Sequence, residues 1–148
     1  KEFYVNASLL SGIKTTAQPA RQLAAVFARE DDFTDCLLVN DKKNVTDFVN
    51  GSLFLVYGNT IKTPPLSEGC RDEIIRAVLI EKIKKSALYT LEETPVSPFE
   101  LQQADEMFSA HLYYGIKPIS RYRKKDYGHE TARFWLESLN ETLQEMFA

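Results

Sequence analysis

The chain has 148 residues and a formal net charge of -3. Apolar residues make up 44% and charged residues 26%, the balance of one folded domain rather than a disordered chain or two full domains. No apolar run approaches the roughly 18 residues that span a membrane, no leader pattern opens the chain, and mild acidity speaks against a general nucleic-acid binder. The expectation is a cytoplasmic protein that binds neither membrane nor nucleic acid. A chain beginning Lys1-Glu2-Phe3 is also expected to be part of a longer protein.

Phe3 to Val5 reads as a short strand. Pro19 to Glu30 reads as a helix, with Ala20, Leu23, Ala24, Phe27 and Ala28 on one face at helical spacing. Cys36 to Val39 is apolar and of strand length. Asp41 to Asn44 is a polar turn. Val45 to Asp47 leads into Ser52 to Tyr57, and Gly58-Asn59 joins that strand to Thr60–Thr63 as a two-residue hairpin. Pro64 and Pro65 end the pairing, because proline removes ladder donors. Arg71 to Lys85 is the second helix, with Asp72 and Glu73 in its first turn and Lys82, Lys84 and Lys85 in its last, as the helix dipole favours. Tyr89 to Glu93 alternates like a strand. Ser97-Pro98-Phe99-Glu100 is a capping box that starts a short helix at Pro98. Met107 to Leu112 and Ile116 to Tyr122 read as strands. A last helix, Glu130 to Phe147, places Leu136, Leu139, Leu143 and Met146 on one face. The expected class is mixed α/β: one domain with a mixed, partly barrel-like sheet and three to four flanking helices.

Simple chemical signals are few. Cys36 sits in an apolar run and reads as a buried thiol; Cys70 follows Gly69 near a helix start and is read the same way. Two Cys and two His at unrelated spacings make no metal site. The sequons at Asn6, Asn44, Asn50 and Asn140 are coincidental without a secretion leader. Arg121-Tyr122-Arg123-Lys124-Lys125 reads as a solvated basic loop. Lys14 stands in a segment of low charge just before the first helix, where an amine can serve as a nucleophile.

The order of short motifs gives Lys14 its weight. Gly12-Ile13-Lys14-Thr15-Thr16 is followed by Asn44-Val45-Thr46-Asp47 with Leu53-Phe54-Leu55-Val56. Then come Lys62-Thr63-Pro64-Pro65-Leu66 with Gly69-Cys70 and Arg76. Ala104-Asp105-Glu106-Met107-Phe108 and Gly115-Ile116-Lys117-Pro118-Ile119 complete the series. This series resembles the class IV pyridoxal-phosphate enzymes, which include branched-chain and D-amino-acid aminotransferases and aminodeoxychorismate lyases. The resemblance covers about Leu9 to Tyr127.

The resemblance implies the cofactor pyridoxal 5'-phosphate (PLP) and a Schiff base on Lys14, with the cofactor ring storing the electrons of the substrate carbanion. The acidic partner of the ring nitrogen falls on Asp47, one methylene shorter than the family's Glu. The family's phosphate-binding Gly-Ile-Thr-Arg aligns with Glu73-Ile74-Ile75-Arg76, so the backbone N–H groups of Ile74 and Ile75 remain as donors while a hydroxyl is lost and a carboxylate gained. A second family Thr aligns with Leu112. The family's Ser-Asn pair aligns with Gly51-Ser52, leaving Ser52 as a hydroxyl donor. Tyr113-Tyr114 replaces small residues in the family's loop, which is read either as strand packing or as a narrowing of the pocket.

The family also carries a smaller N-terminal domain that supplies a phosphate Arg and part of the substrate pocket. The expectation is therefore that residues 1–148 are the C-terminal large domain of such a protein, with the small domain absent and this piece alone inactive. The implied function is transamination between a small amino acid, branched-chain among the options, and a 2-oxo acid, in a homodimer. The alternatives are the lyase reaction that yields 4-aminobenzoate and pyruvate, and a non-catalytic homologue with an eroded phosphate site.

Overall fold

A computed structural model describes residues 3–8 and 10–147; the side chains of residues 146 and 147 lie outside the description. In chain order the elements are β1 (Tyr4–Val5), α1 (Pro19–Glu30), β2 (Leu37–Asn40), β3 (Val45–Phe48), β4 (Ser52–Tyr57) and β5 (Thr60–Thr63). A 3-10 turn (Leu66–Glu68) leads to α2 (Ile74–Lys85), β6 (Thr90–Glu93), α3 (Glu100–Gln103), β7 (Glu106–His111), β8 (Gly115–Pro118), β9 (Arg121–Tyr122), β10 (Lys125–Asp126) and α4 (Glu130–Phe147). The mixed α/β class is as the sequence leads one to expect. The partly barrel-like sheet is not confirmed, because the described strands divide among three sheets.

The largest sheet has the order β6-β5-β4-β7-β8, with β5 and β6 parallel and the other pairs antiparallel. Its β4–β5 hairpin turns at Gly58-Asn59, where Tyr57 pairs with Thr60 and Gly58 takes φ +54. A positive φ at this tight turn is the reason glycine stands there. Side chains alternate across β4 and β7. Phe54, Val56, Phe108 and Ala110 face one core with Leu79, Ile80 and Ile83 of α2 and Ala132, Trp135 and Leu139 of α4. Leu53, Leu55 and Met107 face the opposite core, with Val45, Phe48, Val96 and Leu101. Phe54 and Phe108 are cross-strand partners with rings stacked at 5.2 Å. Burying such a side chain contributes about 1.5–3 kcal/mol.

In the smaller sheet, β1-β2-β3, β3 also makes single bridges to residues just outside the large sheet, Phe48 to Gly51 and Val45 to Val96. α1 packs here around Ala24, Leu38 and Val49. Its bounds match the expectation, but its buried stripe is Arg21, Ala24 and Ala28, and Leu23 is 62% exposed. The face has turned because Arg21 is drawn inward by a carboxylate on β3.

Several expected bounds shift for identifiable reasons. α2 begins at Ile74 rather than Arg71, since the Arg71 N–H donates to Asp47 and the Asp72 N–H to the carbonyl of Gly12. Those donors are thereby held outside the helix. At the capping box, Glu100 Oε2 accepts the Ser97 N–H at 2.8 Å, yet α3 starts at Glu100 after a turn through Pro98 and Phe99. The strand expected over Ile116–Tyr122 breaks after Pro118, which cannot donate further along the ladder. The basic run then forms the two-stranded β9–β10 hairpin. On α4, Leu139 is buried, Leu136 half-buried and Leu143 exposed, while Trp135 and Ala132 fill the core; Met146 lies outside the described side chains. Glu106, buried on β7, starts α4 by accepting the N–H groups of Thr131 (2.9 and 3.0 Å) and Ala132 (3.2 Å). A carboxylate there satisfies orphan donors and suits the helix dipole.

A second carboxylate, Glu68, closes the turn between β2 and β3. It accepts from Asn40 Nδ2 at 2.7 Å and Asn44 Nδ2 at 2.8 Å, with Lys42 at 3.6 Å. The hydrogen bond from Asn44, with those from Asn40 and Lys42, holds its pKa below the ordinary 4.5 despite burial. Its stabilising contribution is therefore full above pH 4.5 and is lost as pH falls through the lower folded value. Thermal melts from pH 7 to pH 3 should show Glu68→Gln less stable at neutral pH and less sensitive to acid than the parent. Parallel curves would contradict this role.

Candidate functional site

The Lys14 loop is pinned at both ends. Gln18 Nε2 donates to the carbonyl of Ile13 at 3.0 Å, and Gln22 Nε2 to that of Thr16 at 2.9 Å. The carbonyl of Gly12 accepts the Asp72 N–H at 3.1 Å, so the loop is tied to the start of α2. Lys14 is exposed between these anchors. A cavity of about 660 Å³ runs beside the loop, lined by Ala7, Gly12, Ile13, Leu66 and Asp72 among others.

The start of α2 offers an uncapped helix end. Glu73 is the residue before the helix, in an extended conformation, and no side chain caps the first turn. The N–H groups of Ile74 and Ile75 thus lack a side-chain acceptor, as an anion site at a helix start requires. The Glu73 carboxylate does not fill that place. It turns toward Arg71, with Oε1 3.2 Å from Nη2, and Oε1 is buried without a hydrogen bond. Ser52 is buried on β4, on the sheet face that α2 covers. Leu112 is 60% exposed at the end of β7 and supplies no donor from its side chain.

Asp47 has a different setting from the one expected of a ring-nitrogen partner. It is 1% exposed. Oδ2 accepts Arg21 Nη2 at 2.6 Å and the Arg71 N–H at 3.1 Å, and Oδ1 accepts the Thr46 hydroxyl at 2.9 Å. Arg21 is itself 6% exposed and donates Nη1 to the carbonyl of Phe48. Arg71 is held by the carbonyl of Val49 at 2.7 Å, and burial, with Arg21 nearby, lowers its pKa.

His111, at the end of β7, completes the polar cluster. Burial lowers its pKa, Glu73 opposes that shift, and Lys14 and Arg71 add to it. The imidazole is therefore neutral at pH 7. Its Nδ1 accepts the Tyr113 N–H at 3.2 Å, and its ring lies 5.3 Å from those of both Tyr113 and Tyr114. Beside it is a cavity of only about 80 Å³ lined by Asp35, Asn50, Ser109, Tyr114 and Lys117. Tyr113 is 79% exposed and Tyr114 67%, so neither is the buried strand residue the sequence suggests.

The structure therefore brings Lys14 and the first turn of α2 to one side of the molecule through the Gly12–Asp72 bond. It buries Asp47 beneath them in an ion pair. Sequence reasoning missed Arg21, Arg71 and His111. The available signal was Arg21 at i−3 from Ala24 on the small-residue stripe of α1. Cys70 is buried and its thiol is pushed up to about 12, whereas Cys36, expected to be buried, is only half-buried, with burial raising its pKa. Among the described residues no group of three or more His, Cys, Asp or Glu could hold a metal, and no helix is long and apolar enough to cross a membrane.

The model of the amino-transferase class IV family matches residues 2–122. The chain belongs to that family, one of PLP-dependent enzymes. A Thermotoga maritima protein named "Probable branched-chain-amino-acid aminotransferase" is 34% identical over 107 residues, covering 71% of this chain and 39% of that protein. "Branched-chain amino acid aminotransferase 1, mitochondrial" of Humulus lupulus is 29% identical over 110 residues, 72% of this chain and 28% of its own length. This chain thus spans well under half the length of these curated relatives. Among solved structures, the 4-amino-4-deoxychorismate lyase of Pseudomonas aeruginosa superposes with a TM-score of 0.84 at 25% identity, over 94% of this chain and 52% of that one.

The residues fit the family's cofactor at two of three points. Lys14 is an exposed amine, and α2 has an uncapped first turn. At the ring nitrogen they do not fit, because the only carboxylate expected there is closed off by Arg21.

Packing beneath this site is tight at Gly51. A Cβ there would lie 2.2 Å from Ser109 Oγ and 2.9 Å from the carbonyl of Ala110. Gly51→Ala should cost about 1–3 kcal/mol in urea unfolding through overpacking. Adding Ser109→Ala should restore only part of this, since the backbone clash remains. Full restoration would show that the hydroxyl alone forbids a side chain at residue 51.

Proposed function

We propose that the protein containing this chain is a PLP-dependent aminotransferase. It would move an amino group between a small amino acid, branched-chain among the candidates, and a 2-oxo acid. This chain would form the large, cofactor-bearing domain, with a smaller N-terminal domain completing the pocket and two copies forming the working dimer. The observation that carries this reading is Lys14, exposed on a loop tied by hydrogen bonds to α1 and to the uncapped start of α2.

When bound, PLP supplies a carbonyl for the lysine amine and a ring that takes up electrons from the substrate α-carbon. The chain's own residues do the rest. Lys14 Nζ would hold the group and, as a free amine, would serve as the base that takes the proton from the substrate α-carbon. The Ile74 and Ile75 N–H groups receive the phosphate; Ser52, 2% exposed beneath α2, is too deeply buried to join them. The Arg71 guanidinium, 3.2 Å from Glu73, offsets the negative charge that Glu73 brings to that end. His111, neutral, adds no charge to the wall near Lys14.

The lyase reaction is the second reading, favoured by the likeness to the Pseudomonas aeruginosa enzyme. The natural gene product should show the visible absorption of lysine-bound PLP, and Lys14→Ala should abolish it. Leucine, isoleucine or valine with 2-oxoglutarate should then give the branched 2-oxo acid. Release of 4-aminobenzoate from aminodeoxychorismate, without transamination, would establish the lyase instead. Failure of the parent protein to bind PLP would leave the fold as a non-catalytic module.

A further inference from the structure

Asp47 has the burial and partners of a structural anchor. A carboxylate that meets a ligand must present an oxygen to the space the ligand enters, and Asp47 is 1% exposed. Its charge is already matched by Arg21 at 2.6 Å, a guanidinium 6% exposed that also holds the carbonyl of Phe48. The same oxygen accepts the Arg71 N–H, and the other accepts the Thr46 hydroxyl. These bonds join α1, β3 and the turn before α2.

We infer that Asp47 is committed to Arg21 as the buried anchor of α1 and of the turn into α2, so the ring-nitrogen position has no carboxylate of its own. The second half of this inference rests on reading Lys14 as the cofactor lysine. A cofactor held by Lys14 and the first turn of α2 would then bind with a ring nitrogen that Asp47 does not meet. Asp47 and Arg21 are positioning residues: they fix the slope of α1 and the Arg71–Asp72 segment, and through Gly12 the loop that carries Lys14.

The test is a thermal-melting cycle on the natural gene product without cofactor, using Asp47→Asn, Arg21→Met and the double variant, with PLP titrations alongside. Leaving one buried charge without its partner is strongly destabilising, whereas removing both is much less so. Each single variant should melt roughly 10 °C below the parent, and the double variant should recover part of that loss. Asp47→Asn and Arg21→Met should weaken PLP binding to the same degree, within about twofold of each other, because both act through the loop that carries Lys14 and neither removes a contact to the ring. Should Asp47→Asn not fold, Arg21→Met and the double variant still read the coupling. Two results would overturn the inference. One is strictly additive losses in the cycle. The other is an Asp47→Asn protein that melts like the parent yet binds PLP tenfold or more weakly. The melting cycle needs no cofactor, so a parent that binds no PLP overturns only the assignment of Lys14.

Discussion

A buried ion pair between Arg21 on α1 and Asp47 on β3 sets the geometry around the candidate site. Taking two charges out of water costs several kcal/mol per ion, and the pair is tolerable only when its remaining hydrogen bonds are made. Here most are: the Thr46 hydroxyl and the Arg71 N–H donate to Asp47, and the carbonyl of Phe48 accepts from Arg21. The consequence travels along the chain. Arg21 turns α1 so that Ala24 and Ala28 face the core. The Arg71 N–H, held by Asp47, delays the start of α2 to Ile74. Asp72 is then placed to hold Gly12, and Lys14 emerges two residues later.

The large sheet supplies the rigid floor. Its β4 and β7 strands are buried on both faces, between the α2–α4 core and the Val45–Phe48–Leu101 core. Rigid strands with polar ends are a common way to present chemistry, since loops then need only short anchors. Glu73 and His111 stand at element ends, and burial, helped by Lys14 and Arg71 and opposed by Glu73, lowers the pKa of His111. Under the proposed reading, Glu73, Ile75, Leu112 and the Asp47–Arg21 pair would shape the surroundings that a phosphate or a ring meets, and Lys14 and the uncapped helix would hold the group.

Much of the fold was legible in the sequence. α1 and α4 were placed at their observed bounds because helical spacing, Pro19 and a long apolar period act locally. The Gly58-Asn59 hairpin was legible because a two-residue turn demands a particular backbone. Elements shifted where the cause was remote: the start of α2 depends on Asp47, 24 positions before Arg71. The buried face of α1 depends on a partner 26 positions away, and a lone Arg in a helix reads as solvated until that partner is known. The order of motifs singled out Lys14, whereas the helix start at Ile74 was not legible, since the sequence reads that helix from Arg71. Nor was the closure of Asp47, because the residue that closes it belongs to none of the motifs.

The most direct measurement is a crystal structure of the natural gene product soaked with PLP. The account requires Arg21 Nη2 to remain within hydrogen-bond distance of Asp47 Oδ2 with cofactor electron density on Lys14 and no ring atom against the carboxylate. A structure with Arg21 swung outward and the ring nitrogen seated on Asp47 would contradict it.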